Sequence, residues 1–498
     1  MTRLTLIAAL MASTAAGAQE LRIGLAEDPD VLDPDQSRTF VGRIVYASLC
    51  DKLVDITPEL EIVPQLATGW EFSEDGTELT MTLREGVTFH DGTPFDADAV
   101  VANIDRSQNL EESRRKSELT SIESVEAVDP TTVRFTLTGP DATILAQFAD
   151  RSGMMLSPAA AEEAGADLGL APVCSGPFAF QERVQQDRIV LTKFEEYWNA
   201  GEINFQTVTF LPIPDNTVRF ANLRSGDLDM VERLAATDLA AAEAEEGIET
   251  ASATSLGYQG ITFNVANGDR AANPVGESAA VRRALSLAID REALNQVVFE
   301  GAFAPGNQPF PPDSPWYDTT DPVPARDVEQ ARALLAEAGV EAPSLEIQVS
   351  NNPIEAQVAQ VIQAMAGEAG FQIELVTKEF ATLLSDQTAG DYQASRIGWS
   401  GRVDPDGNIH QFVTTDAGLN DSGFSDAEVD AALNEARVST DQSARKESYD
   451  AAQAILREEA PIVYLYHQVW IWAYDAALEG FVAYPDGMIR LEGVSLSE

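Results

Sequence analysis

Two guanidiniums, two carboxylates and an indole stand within the thirteen residues Arg396-Ile-Gly-Trp-Ser-Gly-Arg-Val-Asp-Pro-Asp-Gly-Asn408. Asp404, Asp406 and Asn408 alternate as the ligands of a calcium loop do. However, Pro405 intervenes, Gly407 precedes the third ligand, and no glutamate closes the loop at its twelfth position, so no metal is expected here. Asp404-Pro-Asp-Gly407 also reads as a plain turn. That reading leaves Trp399 and Arg402 unexplained. Arginine offers a planar fork that meets a carboxylate or phosphate with two parallel hydrogen bonds. With Trp399 as an apolar shelf, the segment reads as the wall of a pocket for a charged solute. The competing reading pairs Arg402 with Asp404 or Asp406, out of reach of any ligand.

Catalytic alternatives find little support. The chain has three histidines, His90, His410 and His467. It has no HExxH, no CxxC, no glycine-rich phosphate loop and no GxSxG. His90 falls in the turn Phe89-His-Asp-Gly92 and His467 in the strand-like Tyr464-Leu-Tyr-His467, where both are read as structural. His410, nearest the charged segment, is kept as a candidate ligand contact. Neither enzymatic turnover nor a cofactor is expected.

The elements around this segment follow from periodicity. Leu21 to Leu25 reads as a strand and Gly42 to Leu53 as a helix with a mostly apolar face. Leu79, Met81 and Leu83 alternate with threonines, as Val133, Phe135 and Leu137 alternate with polar residues, which predicts strands with one buried face. Strands are also predicted at Ile189 to Leu191 and Val208 to Leu211. From about residue 264 the texture changes. Val281, Ala284, Leu285 and Ala288 mark a helix. Asp327 with Gln330 is a capping-box pattern that opens another, ended by Gly339. A strand at Leu345 to Val349, a helical stripe from Val358 to Met365 and a strand at Phe371 to Val376 imply a parallel, right-handed crossover. The proline-rich stretch from Gly306 to Pro324 reads as a rigid excursion.

The net charge of −49 excludes nucleic acid and anionic membranes as natural partners. Residues 1–18 combine one basic residue, an apolar run and Ala16-Gly17-Ala18, the pattern of a cleavable secretory signal. No cysteine follows the run, so lipid attachment there is not expected, and no later stretch reaches the roughly 20 apolar residues of a membrane helix. The mature chain is expected to be exported to a periplasm. Its length of about 480 residues calls for two or three domains. Cys50 and Cys174 form a disulfide in an oxidising compartment, or else remain two buried thiols.

Three further blocks carry a resemblance. They are Ile62-Val-Pro-Gln-Leu-Ala-Thr-Gly-Trp70 running into Leu83 to Phe95, Ser175-Gly-Pro-Phe178 followed by Tyr197-Trp198, and Val281 to Arg291. In this order they resemble the bacterial extracellular solute-binding proteins of family 5, receptors for peptides, nickel and opines in ATP-driven importers. The resemblance spans essentially the whole mature chain. It implies an α/β fold of the two-lobed periplasmic binding protein type, with an extra domain inserted in the first lobe. Lobe one is expected at 19–54, 172–263 and 473–498, the inserted domain at 55–171 and lobe two at 264–472. A Cys50–Cys174 bridge would then tie the two junctions of the inserted domain. The implied action is capture of a solute in the cleft and delivery to a membrane permease with its ATPase, by a monomer that makes and breaks no bond. In the family's peptide receptors the third residue after the Gly-Trp pair is an aspartate that holds the peptide ammonium. Here it is Arg402, so the sign is inverted and a peptide-like or amino-acid-derived anion is expected. Arg396 stands where oligopeptide receptors carry an arginine for the ligand's carboxylate. The candidate contacts are therefore Trp399, Arg402, Asp404, Arg396, Tyr258 of the hinge region, Thr39 and Phe40 of a closing loop, and His410. A nickel chelate, an opine or another non-peptide solute is the alternative within the family, and an exported hydrolase the alternative outside it.

Overall fold

The computed structural model describes residues 19–497, so the expected leader at 1–18 lies outside the described residues. Two mixed sheets dominate. The first has seven strands, centred on Glu20–Leu25, which pairs in parallel with Thr207–Pro212 on one side and Met230–Val231 on the other. It extends through Arg188–Lys193 to Phe178–Val184, and in the other direction through Val469–Asp475 to Ile248–Thr254. The second has six strands, in the order Ala304–Pro305, Ile462–His467, Tyr258–Phe263, Ala394–Trp399, Ser344–Ser350, Gln372–Lys378. A separate four-stranded antiparallel sheet occupies Ala67–Phe72, Glu78–Leu83, Ile122–Asp129 and Thr132–Leu137. Each sheet has its own buried apolar cluster, the packing expected when one chain is too long for a single core.

Local patterning explains much of this. In the helix Ala279–Ala288 the four residues read as its apolar face, Val281, Ala284, Leu285 and Ala288, are fully buried. The Asp327 side chain accepts a hydrogen bond from Gln330 N at 2.8 Å, which caps the helix Val328–Glu337. Ser344–Ser350 and Gln372–Lys378 pair in parallel around the helix Pro353–Ala369. Two expected lobe boundaries are corrected. Tyr258–Phe263 pairs with Ala394–Trp399 and Ile462–His467, so it belongs to the second sheet and not to residues 172–263 of the first lobe. Val469–Asp475 belongs to the first sheet, so the return crossing also precedes the expected 472/473 boundary. The change of texture at 264 marks the first helices of the second unit, whereas the chain enters that unit one strand earlier. Asp404 to Asn408 is likewise no plain turn: Pro405, with its φ already helical, precedes the helix Asp406–Val413.

Cys50 and Cys174 are bridged. Beside the bridge, buried Asp51 accepts from Trp198 Nε1 at 2.6 Å and Tyr197 Oη at 3.1 Å. Burial is the main reason its carboxyl is pushed up to about 8. In the unfolded chain the same group titrates near 3.9. The folded form therefore holds a proton that the unfolded form releases, so this group's contribution to stability is whole below the ordinary aspartate range and fades as the pH rises towards 8. We expect denaturant midpoints to fall between about pH 5 and pH 8, with a limiting slope of about 1.4 kcal/mol per pH unit from this group. Asp51→Asn should flatten that dependence. An unchanged slope in the variant would exclude Asp51 as its source.

Candidate ligand chamber between the two sheets

The charged segment is held by its own asparagine. Asn408 Oδ1 accepts from Arg402 N at 2.7 Å and from Trp399 Nε1 at 3.1 Å, while Asn408 Nδ2 donates to Arg402 O at 3.0 Å. The Arg402 guanidinium lies 4.1 Å above the Trp399 ring, a cation–π stack. The approach depends on glycine. Gly401 has φ +89°, and a Cβ on Gly257 would lie 1.9 Å from Trp399 O. Both carboxylates of the segment are taken up by helical arginines. Asp404 is held by Arg445 at 2.6 and 2.9 Å, and Asp406 by Arg437 at 2.8 Å. Arg402 pairs with neither. Its partner is Asp150, 3.0 Å from Nε, from the segment between Cys50 and Cys174.

Asp150 also takes the Arg43 guanidinium, so one carboxylate is shared by two arginines. Arg43 belongs to the helix Phe40–Leu49 on the first sheet, and Arg402 follows the second-sheet strand Ala394–Trp399. Three parts of the fold meet at this one acid. Burial alone would raise its pKa, yet Arg402 and Arg43 hold it well below the carboxylate range. Arg402 is pulled well below the usual arginine range, first by burial and then by Arg43 beside it. A second contact between the units joins Arg38 to Asp421, with Arg38 Nη1 also donating to Thr388 Oγ1 at 2.6 Å.

Between the two sheets lie two adjoining cavities of about 140 and 80 Å³, which share Phe40, Phe380, Ile397, Gly398 and Ser400 in their walls. Both are smaller than the roughly 300–1,000 Å³ of sites for drug-sized ligands, so the space suits a small solute. One end is lined by Glu27, Arg233, Glu355, Arg396 and Trp470, and the other by Arg38, Arg115, Arg151, Tyr258 and Trp399. A larger cavity of about 300 Å³ lies wholly within the second unit and touches nothing before Arg283. It has no wall from the first unit, so the space between the sheets is the better candidate for a cleft site.

Of the residues singled out in the sequence, Phe40, Tyr258, Arg396 and Trp399 line the chamber. Phe40 stacks on Trp470 at 4.3 Å, and Tyr258 meets Tyr464 edge-on at 4.7 Å. Arg396 bonds Tyr466 Oη and lies 3.3 Å from Glu355. Arg402, Asp404, Thr39 and His410 are not among the chamber's lining residues. Thr39 is buried beneath, its carbonyl accepting from Arg151 Nη2, and His410 is turned to Asn434. His90 and His467 bond the carbonyls of Gly176 and Gly257, and burial lowers both to about 4. Sequence reasoning missed Arg38, Arg115, Asp150, Arg151 and Asp421. The one local signal was the basic run Arg114-Arg115-Lys116 in a strongly acidic chain.

A chamber closed between two α/β units, with a third segment adding to its wall, defines a two-lobed solute receptor. The family model of the bacterial extracellular solute-binding proteins, family 5, middle region, matches residues 61–420, and the chain belongs to that family. It is 30% identical over 501 residues to the glutathione-binding protein GsiB of Escherichia coli O1:K1 / APEC, covering 98% of this chain and 96% of that protein. The glutathione-binding protein GsiB of Shigella dysenteriae serotype 1 is 29% identical over 506 residues, with 99% and 98% covered. The dipeptide-binding protein of Pseudoalteromonas sp. SM9913 in complex with Met-Leu matches with TM-score 0.89 and 25% identity, over 96% of this chain and 100% of that one. The binding protein AgaA in complex with agropinic acid, from Agrobacterium tumefaciens R10, matches with TM-score 0.87 and 25% identity, over 96% and 99%.

Proposed function

We propose that the chain is the periplasmic receptor of an ATP-binding-cassette importer for a short peptide or another small, amino-acid-derived anion. The observation that carries this reading is the chamber. It is enclosed by both sheet units and its lining holds six arginines, Arg38, Arg115, Arg151, Arg219, Arg233 and Arg396, against three acids, Glu27, Glu355 and Asp421. On a chain of net charge −49 this local surplus is a feature of the site and not of the composition. The solutes named for its relatives, glutathione, Met-Leu and agropinic acid, are all carboxylate-bearing and derived from amino acids. Phe40, Tyr258 and Trp399 supply the apolar walls. In this reading the leader at 1–18 is cleaved, the mature receptor is a monomer, closure around the solute presents it to the permease, and no bond in the solute is broken. A ligand shifts closure only through its differential affinity for the closed form.

Mass spectrometry of small molecules released from the purified protein, followed by a thermal-shift screen of peptides and opines, tests this. The expected result is an acidic amino-acid derivative that raises the melting temperature by mass action and is recovered unchanged. Recovery of hydrolysed products, or stabilisation only by solutes that carry no carboxylate, would reject the reading.

A further inference from the structure

The chamber's two ends differ in charge. At the end beneath Trp399, Asp421 is the one acid among the lining residues, and Arg38 takes it. Arg115 and Arg151 remain. Both are 1% exposed, and both come from the segment that carries the four-stranded sheet. Arg115 Nη1 donates to Glu118 at 2.5 Å, while its Nε and Nη2 have no partner. Arg151 Nη2 donates to Thr39 O at 2.5 Å, while its Nε and Nη1 have none. Nε and Nη2 of one guanidinium form the planar fork that a carboxylate meets with two bonds. Glu118, the acid on Arg115, is already shared with the Ser152 hydroxyl. Arg151 is drawn down to about 10 by burial and then by the neighbouring Arg115, so two like charges are held side by side away from water. Buried donors of this kind are rarely left unpaired in a folded protein.

At the other end Arg233 is matched by Glu27 and Glu232, and Arg396 by Glu355, whose Oε2 accepts no hydrogen bond. With Arg219, that end sets three arginines against three acids, and it has a carboxylate oxygen to offer to an N–H.

We propose that Arg115 and Arg151 form the carboxylate subsite of the chamber, so that a short peptide-like solute lies with its free carboxylate under Trp399 and its ammonium or amide N–H towards Glu355. The proposal rests on the receptor reading of the chamber. It moves the anion from Arg402 and Arg396, where the sequence pattern placed it, to two arginines of the segment between the cysteines. Arg402 does not line the chamber and pairs with Asp150, and Arg396 is engaged with Glu355 and Tyr466; each keeps one unpartnered donor, against two on Arg115 and two on Arg151.

Calorimetric titration of the mature protein with reduced glutathione, its glycyl ethyl ester, Met-Leu and Met-Leu amide tests the assignment. The wild type should bind at least one free acid, and the ester or amide of that acid at least roughly tenfold more weakly. In Arg115→Gln and Arg151→Gln the acid should lose that preference and bind like its neutral derivative. Arg115→Lys, which keeps the charge and loses the fork, should fall between. Circular dichroism checks that each variant is folded, and Arg115→Lys and Arg151→Gln carry the test if Arg115→Gln is not. Equal binding of acid and neutral derivative by the wild type, or an undiminished preference in the folded variants, overturns the subsite while leaving the receptor reading intact. If neither probe pair binds the wild type, nor any acid of the thermal-shift screen, the receptor reading falls and the subsite falls with it.

Discussion

Replacing Cys50 and Cys174 by serine is expected to cost about 5 kcal/mol of stability, the chain-entropy value for a bridge across 124 residues. The location favours a large effect. Cys50 directly follows the helix Phe40–Leu49 of the first unit, and Cys174 precedes its strand Phe178–Val184. Everything between them, including the four-stranded sheet, Arg115, Asp150 and Arg151, leaves and rejoins the first unit at this point. The junction is also tied by hydrogen bonds from Gly176 N to Leu49 O and from His90 N to Cys174 O, both 2.8 Å. These bonds persist in the serine variant, so the folded segment stays docked and the loss comes from the greater freedom of the unfolded chain. Urea unfolding of the two proteins gives the difference, and hydrogen exchange should quicken first between residues 50 and 174. Alkylation of the native protein before any reduction, or coincident unfolding midpoints, would contradict the expectation.

How far the sequence foretold the fold depended on the range of the interaction. The helix Ala279–Ala288 and the Asp327 cap were legible because their determinants lie three or four residues apart. The stretch Tyr258–Phe263 reads in sequence only as a hinge region of the first lobe, and neither its strand nor its sheet was foreseen. Its partners, Ala394–Trp399 and Ile462–His467, lie far along the chain, and nothing local distinguishes a last strand of one unit from a first strand of the next. The site divides in the same way. Trp399, Tyr258, Phe40 and Arg396 stood out by motif and resemblance, and they line the chamber. Arg402 stood out equally, but its partner was unreadable. Asp404 and Asp406 were its nearest acids in sequence, yet Arg445 and Arg437, unremarked positions on two helices, claim both. Composition misled too. A total of −49 says nothing about where arginines stand, and six of them line the chamber where the units meet.

Asp150→Ala should be the most disruptive single substitution at that meeting point. The carboxylate neutralises Arg43 of the first unit and Arg402 of the second, and it accepts from Arg151 N at 2.7 Å. Its removal leaves two guanidiniums buried without their shared counter-ion. Breaking a buried pair by deleting one partner typically costs about 3–5 kcal/mol, because the remaining charge stays desolvated. Here the molecule has another way to relieve that cost, which is to separate the units and rehydrate both arginines. Part of the loss should therefore appear as opening and not as unfolding. Small-angle scattering should show a larger radius of gyration, and solute affinity should fall because less of the receptor occupies the closed form. Arg402→Ala should cost less on both measures, since Asp150 keeps Arg43 and only the stack on Trp399 and the bond from Nη1 to Gly401 O are lost with the pair. In the double variant Asp150→Ala/Arg402→Ala the second substitution should partly restore stability, one of the two stranded charges being gone. Strict additivity of the two losses would show that Asp150 and Arg402 do not act as a pair, and an unchanged radius in Asp150→Ala would show that this carboxylate does not hold the units together.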